Sequence, residues 1–142
     1  MDYTILAQDE LRLLPQLESA LASVNTEIED LELEMRAVKG SSAFRDLPRG
    51  GATPEDRLVA LISRKDDLLI RRKQLKLRLK RLRDALGSIN FLQKEAIFRL
   101  YAKNHRAEDI IGDLNIEKST FYRLRSESIE NFTRALYGVV KT

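Results

Sequence analysis

Residues 109–124 read DIIGDLNIEKSTFYRL, two apolar runs that meet at Asn115. Asparagine is second only to glycine in tolerating left-handed dihedrals, so Asn115 is placed to lead a sharp turn between two short helices. Ile110, Ile111 and Leu114 supply the inner face of the helix before it, Ile116 plugs the turn, and Phe121 and Leu124 supply the inner face of the helix after it. Two short helices crossing steeply at such a turn form a helix-turn-helix, the unit that lays its second helix in the major groove of duplex DNA.

That second helix is expected from about Lys118, with Phe121, Leu124 and Ser128 facing inward. The same helical period groups Ser119, Tyr122, Arg123 and Ser126 on the outward face, where they would meet base edges. Arg123 can donate two bonds to a guanine, and Ser119 and Tyr122 can bond bases or phosphates. Lys118 and Arg125 flank the face as phosphate contacts. Free N–H groups in the first turn offer one more place for a phosphate. Similar helix pairs joined by Asn or Gly also serve proteins that never touch DNA, and Glu108 and Glu117 lower the local potential. Residues 87–142 hold nine bases and seven acids, net +2, so strong non-specific affinity is not expected.

Upstream, Phe91, Leu92, Ile97, Phe98, Leu100 and Tyr101 predict one helix, and Ala107 to Leu114 a second. Lys103-Asn104-His105 is the polar break between them, with Asn104 as turn former and His105 as a turn residue. Gly87-Ser88 marks a helix stop and a new start, which sets a domain boundary. Downstream, Tyr137-Gly138 ends the last helix. The stripe Ile129, Phe132, Leu136 is out of phase with Phe121 and Leu124, which suggests a bend near 126–128.

The first half of the chain has a different texture. Leu14, Leu17, Leu21, Val24, Ile28, Leu31, Met35 and Val38 repeat at alternating intervals of three and four, a coiled-coil seam. Pro15 suits the first turn of this helix, where its missing N–H costs nothing, which leaves 3–13 as a separate segment or kinked lead-in. The run GSSAFRDLPRGGATPED, residues 40–56, is rich in Gly, Ser and Pro and contains a connector at about 39–53. Neither GxxxxGK[ST] nor GxGxxG aligns there, so it is no phosphate loop. Thr53-Pro54-Glu55-Asp56 supplies an N-cap, a proline at the first helical position and two acids for the helix's positive end.

The helix opened at Thr53 carries Leu58, Leu61, Leu68, Leu75, Leu79, Leu82 and Leu86, with Lys65 and Arg72 interrupting the stripe. Residues 1–40 carry nine acids and three bases, net −6, whereas 64–83 carry ten bases and two acids, net +8. An antiparallel hairpin would let the cations reach Glu27, Glu29, Asp30, Glu32 and Glu34. A first helix starting at Leu14 is the shorter of the two, so the second should overhang, with 78–83 left free for phosphate. Leu33, Ile62, Leu69, Ile70 and Leu77 lie off the seam and call for burial against another copy, which points to a homo-oligomer, a dimer in the simplest case.

The fold class implied is all-α: a long helical hairpin over 1–86 and a helix-turn-helix domain over 87–142. Absence of Cys removes disulfides and thiolate metal sites, and the lone His105 permits no His-based catalytic or zinc cluster, so neither an enzyme nor a cofactor or metal is expected. Asp66-Asp67 and Glu108-Asp109 are neighbours on helices, where side chains diverge, and serve as solvated faces or caps. The longest apolar run, 58–62, is far below the roughly 20 residues a membrane span needs, so no membrane association and a cytoplasmic location are expected.

In layout the chain resembles region-four-type helix-turn-helix proteins, and the ArpU and RinA families of phage late-gene transcription activators in particular. The residues carrying the likeness are TPEDRLVALI, the basic stretch after it, and INFLQKEAIFRLYAKNHRAEDIIGDLNIEKSTFYRL. Two positions depart from the pattern. Ile111 stands where such units place a small alanine, with Gly112 beside it expected to relieve the crowding, and Arg106 stands where a serine or threonine caps the second helix. The resemblance implies binding to double-stranded DNA near a promoter and stimulation of late-operon transcription, with host RNA polymerase as a further partner, in the bacterial host cytoplasm. Two other readings share the layout: a phage small terminase subunit that marks DNA for packaging, and a coiled-coil adaptor that binds only proteins.

Overall fold

Pro15 lies well inside a single helix, α1, which runs Tyr3–Gly40. The expected break before Leu14 is absent, and the seam explains why. Ala7, Leu11 and Leu14 are all buried and extend the three-and-four spacing upstream. Burying each leucine stabilises by roughly 1.5–3 kcal/mol, which together outweighs the roughly 3 kcal/mol that an interior proline costs. Pro15 itself is exposed, so its ring does not displace any of the buried seam residues. Asp2 caps the helix, its carboxylate accepting from the backbone N–H of Thr4 at 3.0 Å and from the Thr4 hydroxyl at 2.6 Å.

The computed structural model describes residues 1–40 and 53–142. Most of the connector read at about 39–53 therefore falls outside the described residues. After it, α2 runs Pro54–Gly87. Its start matches the sequence reading: the Thr53 hydroxyl accepts from Asp56 N–H at 3.0 Å while an Asp56 oxygen accepts from Thr53 N–H at 3.3 Å, a reciprocal cap. Its stop does too, with Ser88 Oγ donating to the Ala85 carbonyl at 2.6 Å. Next comes α3, Phe91–Ile97, opened by a capping box between Asn90 and Gln93. It continues into a π-helical turn, Phe98–Ala102, closed by the bond from Lys103 N–H to the Phe98 carbonyl at 3.1 Å. Helices α4, Ala107–Leu114, and α5, Lys118–Tyr137, complete the chain. The fold is thus all-helical among the described residues, with one isolated antiparallel bridge joining Asp2 and Lys141.

Contacts divide the chain into two compact units, Met1–Glu18 with Leu77–Thr142, and Ser19–Lys76. The Ser19–Lys76 unit is built on Val24, Ile28 and Leu68, which are buried, with Leu31, Leu69 and Leu75 packed against them. Leu69 therefore belongs to this core and not to the off-seam set. Arg64 bridges to Glu27 at 3.0 Å and Lys65 to Glu32 at 3.3 Å, so one of the two cations that interrupt the leucine stripe reaches out to an acid as expected.

Within the other unit, Arg78 donates from two nitrogens to Glu10, and Arg83 bridges to Glu18 at 3.2 Å. Both arginines are engaged by acids of α1, which begins at Tyr3 and reaches them, so the expected extension of 78–83 beyond the first helix does not occur. At 38 residues α1 is longer than the 34-residue α2, contrary to the expectation that the first helix is the shorter.

Candidate nucleic-acid interface

Asn115 ends α4 with φ 53° and ψ 49°, the left-handed conformation that the sequence calls for. Two bonds close the turn: Asn115 N–H donates to the Gly112 carbonyl and Ile116 N–H to the Ile111 carbonyl, each at 3.3 Å. This pair is a Schellman motif, and the two residues that flank it, Ile111 and Ile116, pack against one core. That core holds Ala96, Ile110 and Phe121 buried, with Leu100, Ala107, Leu114 and Leu124 packed against them. Ile111 is accommodated without help from Gly112, which faces open space, so the expected relief of crowding is not the reason.

With Phe121 and Leu124 turned inward, α5 presents Lys118, Ser119, Tyr122, Arg123 and Ser126 as exposed residues, with Tyr122 at 38%. Arg125 is half-buried, its guanidinium 5.1 Å from the centre of the Tyr122 ring. The predicted contact residues therefore lie along the first three turns of one helix. At its start, Glu117 makes no side-chain capping bond, which leaves first-turn N–H groups pointing outward. The helix continues to Tyr137 with no break at 126–128. Buried Ser128 and Thr133 fill the inner stripe that apolar residues alone leave out of phase, each donating its hydroxyl to the carbonyl four residues back at 2.5 Å.

Behind this face, Arg99 ties the π turn to its neighbours. Its Nε donates to His105 Nδ1 at 3.1 Å and a terminal nitrogen donates to Asp113 at 2.5 Å. His105 is a turn residue as read, and its ring is engaged inside the fold. Asn104 beside it has φ 55°, the second left-handed non-glycine residue.

Arg12 reaches from α1 to lie 5.3 Å from the centre of the Tyr101 ring. No local signal marks this pairing, since its partners come from opposite ends of the chain. Of the basic run on α2, Arg71, Arg72, Lys73 and Lys76 form no ion pair among the described residues. Among those residues no group of three or more His, Asp or Glu could hold a metal ion, and no helix is long and apolar enough to cross a membrane. No protein-family model, curated protein or solved structure matches this chain.

Proposed function

We propose that the chain is a sequence-specific regulator that binds double-stranded DNA through a helix-turn-helix formed by α4, the Asn115 turn and α5. One observation carries the reading: the turn buries Phe121 while Ser119, Tyr122, Arg123 and Ser126 stay open to solvent on the other side of the same helix. Arg123 reads a base, Lys118 and Arg125 hold phosphates, and Asn115 sets the angle between the helices. The likeness to the ArpU and RinA families supports a role as activator of phage late genes, with host RNA polymerase as partner in the bacterial cytoplasm. In this reading α1 and α2 form an antiparallel hairpin that pairs two copies of the chain. Exposed Leu33, Ile62 and Ile70 support that pairing, since they lie outside the core of their own unit.

Selecting bound fragments from the genome that encodes the protein tests the proposal directly. A recurrent short motif is expected, and Arg123→Ala should relax preference at one base position and cost about 1–3 kcal/mol there. A chain that retains no fragment above background overturns it. Equal weakening on every sequence would make Arg123 a phosphate contact instead.

A further inference from the structure

An open groove of about 710 Å³ lies beside α5, lined by Gln8 and Arg12 from α1, Leu100, Tyr101 and Ala102 from the π turn, Asn104, and Arg125 from α5. Its lining contains two guanidiniums, two amides and a phenol, and no carboxylate. Each guanidinium is held on a tyrosine ring, Arg12 on Tyr101 and Arg125 on Tyr122, at 5.3 and 5.1 Å from the ring centres. A stacked guanidinium is partly immobilised before any ligand arrives, and its edge keeps donors free for a planar or tetrahedral oxyanion. Arg125 makes no ion pair among the described residues. The partner of Arg12 is Asp9 at 3.1 Å, in a pair more than half exposed on both sides, which an incoming phosphate displaces at little cost.

The backbone also shapes the opening. The widened π turn carries Leu100 and Tyr101, and Asn104, which also lines the groove, takes left-handed dihedrals just after it. Arg125 stands three residues from Tyr122 and is its neighbour on the helix surface, so the groove borders the Tyr122 edge of the proposed reading face of α5.

We propose that this groove seats a phosphodiester of the DNA strand flanking α5, with Arg12 as a contact contributed by the far end of the chain. The inference rests on the DNA-binding reading above. Arg12 fixes position on the duplex and carries no sequence information.

The test uses the full chain and fluorescence anisotropy on two duplexes, one selected from the encoding genome and one scrambled, across a salt series. Arg12→Gln should lower the slope of log affinity against log salt by about 0.9. It should weaken both duplexes equally, roughly tenfold, while Arg12→Lys keeps the slope. Gln8→Glu, which adds a negative charge to the rim, should weaken both as well, and it decides the matter if Arg12→Gln fails to fold. Inorganic phosphate at matched ionic strength should compete no better than chloride. Stronger competition assigns the groove to free phosphate and overturns the proposal. Unchanged slopes in Arg12→Gln and Gln8→Glu, with Arg123→Ala still relaxing preference, overturn the groove and leave the reading face standing. A wild-type chain that binds neither duplex overturns both.

Discussion

Arg99 donates from Nε to the Nδ1 of His105 across 3.1 Å, and the backbone returns the link, His105 N–H donating to the Arg99 carbonyl at 2.9 Å. The guanidinium, 15% exposed, also holds Asp113. Three segments therefore converge on one side chain: the π turn, the break at 103–105 and the outer side of α4. Arg99→Ala should cost about 1–2 kcal/mol, lowering Tm by several degrees. His105→Ala should cost less, since Arg99 keeps Asp113. Thermal melts of both variants check the order, and an unchanged Tm for Arg99→Ala would remove the cluster as a brace.

Asn115 has φ 53°, a conformation that a β-branched side chain resists. Asn115→Val should destabilise by about 1–3 kcal/mol, whereas Asn115→Gly should leave stability nearly unchanged. Urea unfolding separates them. Equal stability in both variants would mean that the turn does not depend on left-handed geometry.

Pro15 offers the opposite sign. Exposed inside α1, it contributes little burial and removes one backbone bond. Pro15→Ala should raise stability by about 1–2 kcal/mol, the helical gain exceeding the extra entropy of the unfolded chain. A lower Tm would show that the helix needs the proline's local geometry.

Tyr137 gives the chain an alkaline weakness. Burial raises its pKa above the ordinary tyrosine value, and Glu10 and Asp9 add to the shift while Arg81 and Arg78 oppose it. A group that titrates higher in the folded state holds its proton longer there than in the unfolded chain. Its contribution is fully present below about pH 10 and is lost as pH rises through the folded value. Tyr137→Phe should flatten the decline in Tm over that alkaline range, and an identical decline in both proteins would exclude Tyr137 as its source.

Local chemistry made much of this structure readable in advance. Asn115, Asn104, Thr53 and Gly138 each determine a turn or cap through their own side chain or its absence, so their positions are written in a few adjacent letters. The seam through Val24, Ile28 and Leu68 is equally plain, because periodicity needs no knowledge of the partner. A residue whose role depends on what lies across from it is harder to read. Ser128 fits the inward stripe by spacing, but Thr133 does not declare itself until its hydroxyl bonds its own helix, and Pro15 looks like a start until the burial of Ala7 and Leu11 is known. The groove was invisible for the same reason, as Arg12 and Tyr101 meet only through tertiary packing.

One compact unit draws on both Met1–Glu18 and Leu77–Thr142, with the whole of the other unit inserted between them in the chain. On the ribosome, Ala7 and Leu11 emerge early and must wait for late-made partners, whereas Ser19–Lys76 leaves the exit tunnel as an uninterrupted stretch able to pair at once. Pairing there shortens the effective loop that separates the waiting residues from Leu77 and lowers the entropy of closing it. The unit bearing α5 is thus completed only after Ser19–Lys76 has been made, and a chain halted before Phe132 lacks part of the buried stripe of α5.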